Sequence, residues 1–226
     1  MARMRILTAS EQEGFDKPPV YDHRERKRFF NLPKGLSDIL ATLRTPDSQI
    51  GFLLMCGYFK AARRFYQPHD FHESDIIFAA RQLNLEDHCF EPDNYTETTR
   101  LRHQRHILEF FGFVPFDAQP EEIIAAEIAA MARVHLKPRL IFDRCVEFII
   151  QRRIQVPTSR SLSDMIRSGL QARKTELIAL IEANITDEAR TLLEQLFTAP
   201  DDQSRYRLTL LKKLSQSTKP TRIKER

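Results

Sequence analysis

The sequence predicts an all-α protein: two lobes of helix-turn-helix type, followed by the start of a further helical segment. Three observations lead there. Leu, Ala, Ile, Arg and Glu dominate a 226-residue chain that is 42% apolar, and these are mostly good helix formers. Only six glycines occur, and none builds a glycine-rich loop. Apolar residues recur every three or four positions between polar, often proline-bearing breaks, and no stretch shows the alternation of a strand.

Each helix has a start or a stop with a chemical reason. Thr8-Ala9-Ser10-Glu11 fits a capping box, so a short helix follows and stops before Pro18-Pro19. A second covers Asp22 to Phe30 and ends before Pro33, and a third runs from Leu36 to Leu43. Thr45-Pro46-Asp47 opens the fourth with proline in the first turn. From Gln49 to Phe65 it is apolar nearly all round, with Ile50, Phe52, Leu53, Leu54, Met55, Tyr58 and Phe59. A helix of that kind is central and buried. Lys60, Arg63 and Arg64 end it, where cations complement the helix dipole. Ser74 to Leu83 makes the fifth. The polar, acidic run Asn84 to Asn94, with Pro92, links the lobes.

In the second lobe a helix runs from Thr96 to Phe111, with a stripe of Leu101, Leu108 and Phe111, and Gly112 stops it. Pro120 to Val134 and Pro138 to Arg153 follow, the latter with Ile141, Cys145, Phe148 and Ile149 inward. Ile154-Gln155-Val156-Pro157 is a short break. Thr158 or Ser159 then caps a long helix to Glu182 whose Leu162, Ile166, Leu170, Leu177 and Ile181 share one inward face. Thr186-Asp187-Glu188 caps a helix ending near Phe197. Asp201 to Leu214 is the last helix, before a basic tail. The expected division is residues 1–94, 95–184 and 185–226.

Composition excludes several classes. No apolar run reaches the ~20 residues that span a bilayer, and the opening MARMRIL has no secretory pattern. The odd set Cys56, Cys89 and Cys145 reads as reduced thiols, mostly buried, in a cytoplasmic protein. His69/His72, His103/His106 and His88-Cys89 are too scattered for a zinc site, and no phosphate-loop, nucleophile-elbow or dinucleotide motif occurs. No metal, no cofactor and no catalytic residue is expected. Net charge is only +4, but it is unevenly spread. Residues 1–68 hold 12 Lys+Arg against 7 Asp+Glu, residues 69–118 hold 4 against 10, and residues 133–174 hold 10 against 3. Such local excess is the footprint of a surface that meets phosphates.

Helix, break, helix over Pro138–Lys174 is the layout in which a second helix enters the major groove of double-stranded DNA. On that helix Arg160, Arg167, Gln171 and Lys174 share a polar face, and Ser159, Ser161 and Ser163 add short donors near its N-terminus. Arginine forks suit guanine edges, and free N–H groups at a helix start suit a phosphate. Arg152 and Arg153, at the end of the preceding helix, are expected to clamp the DNA backbone, and Arg139 and Arg144 on the same element are further DNA-binding candidates. Two further clusters are Arg24, Lys27 and Arg28 on one face of the second helix, and Arg100 and Arg102 with His103, Arg105 and His106 on the helix from Thr96. A charged outer face on a plain helical hairpin is the competing reading, with protein rather than DNA as the partner.

Several runs bring a family into view. Leu7-Thr8-x-x-Glu11-x-x-x-Phe15-x-x-Pro18-Pro19 resembles the opening of transposases of the Tn-three type, the enzymes of replicative class II transposons. Ser48-Gln49-Ile50-Gly51-Phe52-Leu53-Leu54, Gly57-Tyr58-Phe59-Lys60, Arg64-Phe65, Ala80-Arg81-Gln82-Leu83, Thr99-Arg100-x-x-His103-x-x-x-Ile107, Val156-Pro157-Thr158 and Leu192–Phe197 are similar to it as well. The resemblance implies tandem helical DNA-binding modules that recognise terminal inverted repeats during transposition in the bacterial nucleoid. It also implies a metal-dependent Asp-Asp-Glu core further along, so that this stretch is non-catalytic. Self-association, or contact with the rest of the transposase, is the other partner it allows.

Overall fold

A computed structural model describes residues 4–134 and 137–197, so the helix expected at Asp201–Leu214 and the basic tail lie outside the described residues. Among the described residues there are ten α-helices: α1 Ala9–Asp16, α2 His23–Phe29, α3 Lys34–Thr42, α4 Pro46–Ala62, α5 Glu73–Gln82, α6 Glu97–Phe111, α7 Ala118–Val134, α8 Pro138–Gln151, α9 Ser159–Asn184 and α10 Asp187–Phe197. Short 3-10 turns occupy Pro68–Asp70 and Pro92–Asn94. The described residues hold no strand, only an isolated parallel bridge between Val114 and Ile154. The fold is all-α, and no described helix is long and apolar enough to cross a membrane. The chain divides into two compact units, Met1–Arg173 and Lys174–Arg226.

The first unit holds two cores. In the first, α4 is the axle. Thr45 caps it by accepting from the Ser48 N–H, Pro46 sits in its first turn, and Arg63 ends it in the left-handed region at φ 58°. Every residue from Ile50 to Phe59 is buried, as its all-round apolar pattern demands. Aromatic rings pack around it, including Phe30, Tyr66, Phe71 and Tyr95. They come so close that Gly57 has no room for a side chain: a Cβ there would lie 2.1 Å from the Phe30 ring. Helix α6 joins this core, through a face the sequence misplaces. Leu101 is 53% exposed, while His103, Ile107 and Leu108 point inward. Residues 101 and 103 lie on nearly opposite sides of a helix, so burying one exposes the other.

The second core joins Ile124, Ile128 and Ala132 of α7, Ile141, Phe142, Cys145 and Ile149 of α8, and Leu162, Ile166 and Leu170 of α9. Gly169 lets α9 approach α7, since a Cβ there would meet Ile128 at 2.6 Å. Ile6 and Leu7 are buried in the same core. The cores therefore do not follow the expected 94/95 division: Ile6 and Leu7 pack with the second core, and α6 packs with the first.

In the second unit, the expected inward face of the long helix does not extend to its end. Ile181 is 57% exposed, with Ile178 at 45% and Leu180 at 51%. On α10, Leu192, Leu193 and Phe197 are exposed too.

His103 gives the first core a pH signature. It is fully buried, its Nδ1 lies 2.7 Å from the Tyr95 hydroxyl, and its Nε2 has no partner. Burial, with added repulsion from Arg102 and His106, pushes its pKa down to about 4. The unfolded imidazole titrates near 6.5, so above that pH it is neutral in both states and stability is undiminished. Below it the unfolded chain takes up a proton that folded His103 refuses, and stability falls by about 2 kcal/mol by pH 5. Urea midpoints from pH 7 to 5 should show that slope, and a His103→Gln variant should flatten it. An unchanged slope in the variant would remove His103 as its source.

Candidate nucleic-acid interface

The expected helix-turn-helix is built differently from a tight motif. Between Gln151 and Ser159 the chain does not simply turn. Arg153 takes a left-handed conformation at φ 55°, and Ile154 and Val156 are buried. The Val114 N–H donates to the Arg153 carbonyl and the Gln155 N–H to the Val114 carbonyl, each at 2.9 Å. The Val156 N–H reaches the Arg63 carbonyl at 2.9 Å. The break is therefore a strap pinned to both cores, longer than the turn of about 3–4 residues in a helix-turn-helix.

The start of α9 is occupied by a side chain. Asp16, at the end of α1, accepts from the Ser159 N–H at 2.9 Å and from the Ser159 hydroxyl at 2.5 Å. Arg64 donates to the same carboxylate at 2.9 Å and to the Phe15 carbonyl, with its guanidinium over the rings of Phe15 and Tyr66. Burial alone would raise the Asp16 carboxyl, but the Ser159 and Arg64 hydrogen bonds outweigh it and hold it below the usual carboxylate range. Thr158 accepts from the Ser161 N–H. An anionic cap suits a helix N-terminus, so the Ser159 N–H and hydroxyl and the Ser161 N–H, expected to meet a phosphate, are already served.

The expected DNA-facing residues separate accordingly. Ser159 is 2% exposed and committed to Asp16, and Ser163 is fully buried with its hydroxyl unpartnered. Neither faces outward, because positions 159, 163, 166 and 170 fall on the packed side of α9. Ser161 is half-buried and shares a hydrogen bond with Thr158. Arg167 pairs with Asp164 and donates to the Met4 carbonyl. Arg139 pairs with Asp143 and Glu11, Arg144 with Glu147, and the mostly buried Arg100 with Glu97. Arg152 lies over the Phe148 ring. Exposed and without an ion pair among the described residues are Arg24, Lys27 and Arg28 on α2, Arg102 on α6, Arg152 and Arg153 in the strap, and Arg160 and Lys174 on α9. Gln171 is exposed.

Arg26 turns inward from α2, to Asp75 and Ser74. Lys60 donates to the Arg28 and Asn31 carbonyls and so closes the end of α2. Cys56 and Cys145 are buried, and burial pushes the Cys145 thiol up to about 12. No group of three or more His, Cys, Asp or Glu side chains that would suit a metal ion occurs among the described residues.

No curated protein matches the chain. A family model, described as a domain of unknown function (DUF4158), matches residues 6–169, more than two thirds of the chain. The match begins at the buried Ile6 and ends at Gly169, so it takes in the α1 cap, the strap and nearly all of both cores. Gln171 and Lys174 fall beyond it. With most of its length so matched, the chain belongs to the DUF4158 family.

Proposed function

We propose that this chain is a sequence-specific DNA-binding module of a transposase, docking on the terminal inverted repeats of its element. One observation carries the reading. Residues 133–174 hold 10 Lys+Arg against 3 Asp+Glu, and all three carboxylates are taken by arginines of their own helices. That leaves Arg152 and Arg153 in the strap and Arg160 just beyond it exposed, with no ion pair among the described residues. DNA phosphates supply that charge with release of counterions. Arg24, Lys27 and Arg28 add a second exposed row on α2. The resemblance to Tn-three transposases supports the choice of inverted repeats, and strand cleavage belongs in this reading to the rest of the enzyme. Anisotropy with inverted-repeat and scrambled duplexes is expected to show tighter binding to the repeat. Log K should fall linearly with log[salt], with a slope near −0.9 per phosphate engaged. No binding to either duplex at low salt would end the proposal.

A second reading is a protein-interaction module, favoured by the exposed Leu192, Leu193 and Phe197 of α10. Mass that rises with protein concentration in size exclusion, without any shift of DNA, would support it instead.

A further inference from the structure

We propose that Arg5, Arg160 and Arg167 form one phosphate-binding cleft, which holds a backbone phosphate of DNA rather than reading base edges. The identity of that phosphate rests on the DNA-binding reading above.

The cleft measures about 430 Å³ and lies between residues 4–7, α1 and the start of α9. Three arginines and one carboxylate line it, Arg5, Arg160, Arg167 and Asp16. The carboxylate is not available to neutralise them. Asp16 already accepts two hydrogen bonds from Ser159 and one from the 5%-exposed Arg64, whose charge offsets its own. Two of the three arginines are held in place. Arg5 donates its Nε to the Leu7 carbonyl and Arg167 its Nε to the Met4 carbonyl, each at 3.3 Å. Arg167 gives Nη1 to Asp164, which leaves Nη2. The Arg160 side chain makes no hydrogen bond or ion pair among the described residues. Burial of Ile6 and Leu7 in the second core anchors the arm that carries Arg5. A cleft with net positive lining, fixed walls and free guanidinium nitrogens suits a tetrahedral oxyanion, and arginine forks bind phosphate bidentately. Holding a phosphate here fixes register and carries no base information.

The test uses the full chain. Arg5→Gln and Arg160→Gln should each weaken an inverted-repeat duplex and a scrambled duplex by the same factor, roughly 3- to 10-fold, and lower the salt slope by about one. Loss confined to the inverted repeat would mean base reading and overturn the proposal, as would unchanged affinity and slope. Inorganic pyrophosphate, without DNA, gives the independent arm. It should raise the unfolding temperature of the wild type and not of Arg160→Gln. DNA binding with no pyrophosphate effect overturns the cleft and leaves the DNA reading standing. A pyrophosphate effect that requires Arg160, with no duplex bound, keeps the cleft as a phosphate site and overturns the DNA reading. Neither effect overturns both.

Discussion

Replacing Asp75 with alanine is expected to destabilise the first core by about 3–5 kcal/mol, the range for breaking a buried ion pair by removing one partner. Asp75 lies on α5 with no exposure. It accepts from Arg26 Nε at 2.6 Å and from the Tyr58 hydroxyl at 2.7 Å. Alanine leaves a fully buried phenol with no acceptor and a guanidinium, 18% exposed, with only the Ser74 hydroxyl. Both groups then lack the water they gave up on folding, which is why truncation costs more than the pair is worth. Tyr58→Phe is the control. It removes one donor but leaves the carboxylate with its arginine, so it should cost roughly 1–2 kcal/mol. Urea unfolding reads both changes, as lower midpoints at an unchanged slope. If Asp75→Ala costs less than Tyr58→Phe, the network is not what ties α2 and α5 to α4.

That network also marks the limit of what the sequence discloses. Helix starts are local chemistry, and they are legible: Thr8 and Glu11 form both halves of a capping box, and Gly112 ends α6 at φ 65°. The buried run of α4 follows from hydrophobicity alone. Which face of α6 turns inward does not, because Leu101 looks more apolar than His103 until Tyr95 supplies the histidine's partner. The candidate site suffers most. Ser159 reads as a donor for DNA, yet its acceptor, Asp16, is 143 residues away. Arg139 reads as a DNA ligand, yet it meets Glu11 across 128 residues. A charge count locates the basic segment but cannot tell which cations the fold has already paired. Arg5 escapes notice for a related reason: it precedes the first capping box, where no helical period exists to place it.

Arg64→Met should cost about 3 kcal/mol and, unlike the Asp75 change, should also weaken phosphate binding at arginines distant in sequence, Arg5, Arg160 and Arg167. Arg64 lies 5% exposed at the end of α4, with hydrogen bonds to the Phe15 carbonyl and Asp16 and its guanidinium 4.7 Å from the Phe15 ring centroid. Charge-assisted hydrogen bonds contribute about 1.5–3 kcal/mol each. Two terms reduce the sum. Arg64 Nε is buried without a partner, so its removal relieves a cost, and the Asp16 side chain is 35% exposed, so water can still solvate it. The functional consequence follows from Asp16. Without Arg64 its carboxylate is left with Ser159 alone, and its negative charge then acts on Arg5, Arg160 and Arg167 across the same cleft. Asp16→Asn removes that charge while keeping an acceptor for Ser159, so adding it to Arg64→Met should restore duplex affinity without restoring stability. A double-mutant cycle in both readouts separates the two roles. Affinity losses that simply add would mean that Arg64 acts on the fold alone and that the cleft does not sense Asp16.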